Sequence, residues 1–162
     1  MHKTTGRVVG MLAMAGLFLI PWIAGAEVDF GVRGGLYNDA DAGFVGVELL
    51  TDITRRWYFN PNLEYVFVDD GSLYTVNLDA HYDLPTRSVY TWVGGGLGVI
   101  FSEFDPPRGC RRCESDDETD LGVNALAGIG FGRGQAIRPY IQGKVTFSDN
   151  TEASIAFGLR FH

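Results

Sequence analysis

Four groups of residues have the types and spacing to do chemistry. Cys110-Arg111-Arg112-Cys113 is a C-x-x-C, which can serve as a redox pair, half a zinc site or a small disulfide loop. A redox pair wants a strand-to-helix setting in a thioredoxin-like fold, and zinc needs two further ligands. The three histidines, His2, His81 and His162, lie far from it in sequence. In an oxidising compartment a local disulfide between Cys110 and Cys113 is therefore expected, with free thiols or a metal as alternatives. Asp116, Asp117, Glu118 and Asp120 offer oxygen ligands of the kind Ca²⁺ or Mg²⁺ takes. No calcium-loop spacing is present, and a solvated acidic loop is the simpler reading. His81 could act as a general base if a nucleophile and an orienting acid stood within hydrogen-bond reach. The fourth group is Arg33, Glu48, Glu64, Asp79, His81, Arg138, Lys144 and Arg160. Their signs roughly balance, and buried charges must pair or cost several kcal/mol each.

The chain that must position these groups has 162 residues, enough for one domain. Its formal charge of −7 and the lack of a basic patch disfavour a nucleic-acid binder. Two cysteines exclude a disulfide-dense scaffold. Residues 1–26 have the features of a cleavable export signal. Lys3 and Arg7 form its positive start, Val8–Ile20 its apolar run, Pro21 its helix stop, and Ala24-Gly25-Ala26 its small-residue cleavage site. The run is short for a membrane-spanning helix, which takes about 20 residues. Cleavage near Ala26 leaves 27–162 as the folded domain. Losing Lys3 and Arg7 takes its charge to −9, eleven Lys and Arg against twenty Asp and Glu.

From residue 27 onward the sequence alternates with period two, predicting eight strands at 27–37, 43–50, 57–68, 73–82, 89–101, 121–132, 137–147 and 152–161. In each, one parity is apolar, as in Val28, Phe30, Val32 and Leu36, or Tyr74, Val76, Leu78 and Ala80. The other parity holds glycine, amides and the ionisable set. A soluble eight-stranded barrel would turn its apolar parity inward. The interior of so narrow a barrel has no room for large aliphatics from all eight strands. The apolar parity is therefore expected to face lipid, giving an all-β, eight-stranded antiparallel up-and-down transmembrane β-barrel. Closure leaves no strand edge unpaired in hydrocarbon.

Aromatic residues near strand ends are expected to form belts at the two interfaces. One belt is Trp57, Tyr58, Phe59, Tyr82, Tyr90, Trp92 and Tyr140. The other comprises Tyr37, Phe44, Tyr65, Phe67, Phe101, Phe104 and Phe147. With the N-terminus on the periplasmic side, the inner turns are 51–56, 83–88 and 133–136, carrying Arg55, Arg56, Arg87 and Arg133. The outer loops are 38–42, 69–72, 102–120 and 148–151, which are rich in Asp and Glu and include the longest connection.

Phe59-Asn60-Pro61-Asn62-Leu63-Glu64-Tyr65, the glycine-rich stretch Tyr90–Val99, Arg138-Pro139-Tyr140-Ile141 and the closing Phe157-Gly158-Leu159-Arg160-Phe161 resemble the OmpA/OmpX-type family of small outer-membrane β-barrel proteins. The resemblance covers 27–162. It implies a bacterial outer-membrane location, contact with outer-membrane lipid, and a last strand read by the barrel assembly machinery. In the family that strand usually ends on an aromatic residue; here His162 follows Phe161. The expected role is structural or surface-interactive, with no enzymatic activity, no cofactor and no nucleic-acid partner. Loop 102–120 is the candidate surface for a partner. The lumen ionisable set is expected to form a packed polar plug, a very small ion pore being the alternative. Some barrels of this size are lipid A deacylases or acyltransferases, the PagL-like ones using a Ser-His-acid arrangement. His81, however, points into the lumen near the periplasmic end, and Ser72 and Ser88 are expected in connections away from it.

Overall fold

The computed structural model describes residues 27–38, 41–68, 71–86, 89–104 and 117–162. Eight strands occur in chain order: β1 (Val28–Tyr37), β2 (Ala42–Asp52), β3 (Trp57–Val66), β4 (Gly71–Leu84), β5 (Tyr90–Phe104), β6 (Asp117–Gly130), β7 (Ile137–Phe147) and β8 (Glu152–Phe161). Each pairs antiparallel with its sequence neighbours, and β1 pairs with β8, closing the barrel. The fold is the one that the alternation predicts. Most described strand residues are paired on both sides, so the wall largely satisfies its own backbone groups.

Parity sets the two faces. Leu36, Val45, Leu63, Leu78, Leu97, Val123 and Phe157 point outward and are exposed. Arg33, Glu48, Glu64, Asp79, Asn124, Lys144 and Arg160 point inward and are buried. A water-soluble protein would bury the first set; here the large apolar side chains cover the outside.

Two local features show how the wall tolerates its sequence. Pro61 sits inside β3 without an N–H to donate toward β2. Pairing lapses there, between Glu48↔Asn62 and Thr51↔Phe59. The Leu49 carbonyl instead accepts from Asn60 Nδ2 at 2.7 Å. The β6–β7 turn needs left-handed backbone twice, and glycine occupies both positions: Gly132 (φ 75°) and Gly134 (φ 79°).

The expected strand ends need correction mainly on the loop side. β5 runs to Phe104 and β6 starts at Asp117, with Glu103 opposite Asp117. The expected loop 102–120 therefore shrinks to the connection 105–116, and Glu118 and Asp120 lie on a strand. Ser72, expected in a connection, is on β4 opposite Glu103. Ladder hydrogen bonds continue past the apolar band, where no lipid enforces alternation and the sequence pattern fades.

Candidate functional site

The candidate site is the lumen. Its centre holds three cations, Arg33, Lys144 and Arg160, and three carboxylates, Glu48, Glu64 and Asp79, each at most 4% exposed. Arg33 on β1 pairs with Glu48 Oε2 on β2 (3.5 Å) and with Glu64 on β3. Glu64 also takes Lys144 Nζ from β7 (3.0 Å), and accepts from Tyr37 and from Thr75 Oγ1 (3.0 Å). Glu48 takes Arg160 Nε from β8 (2.7 Å) and Asn60 Nδ2 (3.1 Å). These pairs tie together strands far apart in sequence and across the lumen.

Asp79 is held by amides rather than by a cation. It accepts from Asn62 Nδ2 (3.0 Å) and Asn124 Nδ2 (2.8 Å). Asn77 links Asn62 (3.0 Å) and Asn124 (2.9 Å), and Thr146 Oγ1 donates to Asn124 (2.9 Å). Parity placed Asn60, Asn62, Asn77, Asn124 and Gln142 on the inward side, but charge alone had singled out the ionisable residues. The missed signal is the run of amides in register with those residues, able to donate and accept at once.

Apolar clusters close the network at both ends. Toward the loops, Tyr37, Ala42, Phe44, Val66 and Ala156 pack together with Val68 and Leu73 against them. Toward the termini, Tyr90, Trp92, Leu126 and Tyr140 form a second cluster. Tyr90 stacks on Trp92 (5.4 Å, 19°), and Trp92 meets Tyr140 edge-on (5.8 Å). Arg160 lies over both rings, 4.8 Å from Trp92 and 4.4 Å from Tyr140. The inward glycines are sockets for these rings: a Cβ at Gly128 would strike Trp92, one at Gly130 Tyr90, and one at Gly158 Tyr140.

The expected aromatic belt divides accordingly. Trp57, Phe59 and Tyr82 share the outward parity, and Trp57 is well exposed. Tyr90, Trp92 and Tyr140 are buried inside the barrel instead, and Tyr58 also faces the lumen, against His81 (5.6 Å). Aromatic type does not distinguish a headgroup belt from a lumen plug, whereas strand parity does. The second belt divides the same way: Tyr37 and Phe44 are in the lumen, while Phe67 and Phe147 are exposed outward.

The remaining site residues fall outside the central network. Arg138 pairs with Asp29 at the end where the termini lie, and His162 Nδ1 sits 2.6 Å from the same carboxylate. His81 is 1% exposed between Tyr58 and Trp92, and its Nδ1 has no hydrogen-bond partner. Its strand neighbours are Tyr58 and Gly94, and Ser72 is nine positions away along β4. Cys110, Cys113, Asp116 and Ser88 lie outside the described residues, as does the 1–26 segment. Among the described residues, no group of three or more His, Cys, Asp or Glu is placed to hold a metal ion.

No family model and no curated protein matches the sequence. Solved structures do match in shape. The N-terminal β-barrel domain of Pseudomonas aeruginosa OprF gives a TM-score of 0.70 at 15% identity, covering 83% of this chain and 95% of that one. Neisserial surface protein A gives 0.63 at 16%, covering 85% and 98%. The outer membrane enzyme PagL gives 0.55 at 11%, covering 83% and 99%. At such identities the likeness is one of fold, and this chain has the fold of the small eight-stranded outer-membrane β-barrels.

Proposed function

We propose that the chain is an integral protein of a bacterial outer membrane, non-enzymatic, with a sealed lumen and a structural or surface-interaction role. The observation that carries this reading is the lumen. Three cations and three carboxylates are matched there, and apolar clusters block both ends. An aqueous path would need hydrated charges, and an eight-stranded barrel is filled by its own side chains. The outward apolar surface supports burial in lipid, which the ladder's closure makes tolerable for the backbone.

The non-enzymatic reading is supported by His81. Among the described residues it has neither a serine nor a carboxylate as hydrogen-bond partner, and it faces the lumen. The surface role would fall to the hairpin that β5 and β6 raise beyond the other strands. That end carries Glu118 and Asp120 together with the 105–116 connection. Closing β8, with Phe161 facing out, would serve as the strand recognised by the assembly machinery.

The test is conductance of the chain extracted from membranes and placed in a planar bilayer, with heat-modifiable gel migration showing that it is folded. A folded band with no stepped current is expected. Stable open-channel steps would replace this reading with the small ion pore. A depth probe at Val45, Leu78 and Ile155 should report acyl chains; a water-shielded protein interior there would sink the membrane assignment.

A further inference from the structure

The sealed lumen still has a roomy mouth at the end where the termini lie. A cavity of about 630 Å³ opens there, well within the size range of small-molecule sites. Its wall is dominated by guanidinium groups: Arg55 and Arg56 from the β2–β3 turn, Arg133 from the β6–β7 turn, Arg138 from β7 and Arg160 from β8. Among the described residues of the lining, Asp83 is the one carboxylate. Arg160 is held by Glu48 and Arg138 by Asp29. Among the described residues, Arg55, Arg56 and Arg133 make no ion pair, though Arg56 Nη1 donates to the Tyr82 hydroxyl at 3.1 Å. Counting Asp29 and Glu48 against their arginines, and Asp52 close to Asp83, five guanidiniums meet four carboxylates among the described residues. Asp52 stands nearby at the end of β2, outside the lining.

Arg55, Arg56 and Arg133 have donors to spare there, and the planar guanidinium fork matches phosphate oxygens two at a time. The floor is rigid, because Arg160 is clamped between Glu48 and the Trp92 and Tyr140 rings.

We propose that this mouth binds a small phosphate-bearing solute from the water phase on the side of the termini. Lipid headgroups carry the same phosphate chemistry, but they lie against the outer wall, where Trp57, Ile137 and Phe161 face. The cavity lies inside the rim, so a soluble anion has the direct path.

Inorganic pyrophosphate is the probe, titrated calorimetrically into the chain extracted from membranes in a nonionic detergent at low salt. Saturable binding is expected, with sodium chloride at matched ionic strength giving none. The Arg55→Gln/Arg133→Gln variant should bind at least tenfold more weakly while keeping its heat-modifiable folded band. Should that pair not fold, Arg55→Gln alone, on an exposed turn, should weaken binding measurably. In nanodiscs, binding should be equal with phosphatidylcholine and with phosphatidylglycerol. No saturable binding, binding unchanged by the arginine substitutions, or loss of binding in phosphatidylglycerol discs through headgroup competition would each overturn the proposal.

Discussion

Glu64 is the hub on which the lumen's charge balance turns, and its removal makes the sharpest test of the network. It is fully buried and bonded to Arg33, Tyr37, Thr75 and Lys144. Glu64→Gln keeps the shape and removes the charge. Lys144 then has no carboxylate partner, and Arg33 keeps only Glu48 at 3.5 Å. Breaking a buried pair from one side costs about 3–5 kcal/mol, because the stranded cation has no water to return to. With a urea slope of about 2 kcal/mol per molar, a loss of about 4 kcal/mol moves the unfolding midpoint down by about 2 M. Lys144→Met alone should cost less, since Glu64 retains Arg33, Tyr37 and Thr75. The double variant leaves Arg33 and Arg160 against Glu48 and Asp79, which balances again. Its loss should fall short of the summed single losses by about 1–3 kcal/mol, the coupling expected of contacting partners. The assay is reversible urea unfolding in lipid vesicles, followed by gel mobility. Losses that simply add, or a Glu64→Gln midpoint equal to that of the parent chain, would refute the idea that these ion pairs organise the lumen.

Two further predictions probe the wall. A Cβ at Gly96 would come within 2.6 Å of the Asp79 Cα on β4, backbone that cannot step aside, whereas nothing lies within 4 Å of a Cβ at Gly143. Gly96→Val should therefore yield no heat-modifiable folded band and Gly143→Val a normal one. Leu78 faces outward halfway along β4, and Leu78→Arg should destabilise by about 2–4 kcal/mol, whereas Ile137→Arg at the rim should cost about 0–1 kcal/mol, both read by urea midpoint.

How far the sequence could be read follows from where a medium enforces a pattern. Across the apolar band one face of every strand meets hydrocarbon and the other meets the lumen, so Leu78 and Asp79, or Lys144 and Val145, can be assigned by counting in twos. Beyond the band both faces of Ser72 or Glu118 meet water. Polarity then stops alternating while backbone pairing goes on, and β4, β5 and β6 outrun their apparent ends. The lumen's ionisable set is legible for the same reason, but its wiring is not. Whether Asp79 meets a cation or two asparagines depends on register across three strands, and no local pattern fixes that. Tyr90, Trp92 and Tyr140 were hidden by a different degeneracy, because an aromatic ring suits both a headgroup interface and a glycine-lined socket. The partners that decide it, Gly128, Gly130 and Gly158, lie on neighbouring strands.

The two ends of the barrel solve the problem of closing it differently. At the loop end the lumen is stopped by hydrocarbon: Phe44 and Val66 are nearly inaccessible, and Tyr37 spends its hydroxyl on Glu64. Among the described residues the cluster at that end is made of apolar and aromatic side chains. At the end of the termini the stopper is Trp92 with Tyr140, and beyond it the wall is arginine. Arg160 belongs to both sides, bonded inward to Glu48 and lining the mouth. A plug needed only to block water could have been apolar at both ends, since replacing a buried ion pair by well-packed apolar residues is often neutral or stabilising. Among the described residues, arginines in excess of carboxylates around an open cavity repel one another, and sealing gains nothing from that repulsion. A site for anions does gain from it, because binding an oxyanion relieves it. The asymmetry between the ends is thus the physical reason to assign the mouth a task separate from that of the plug.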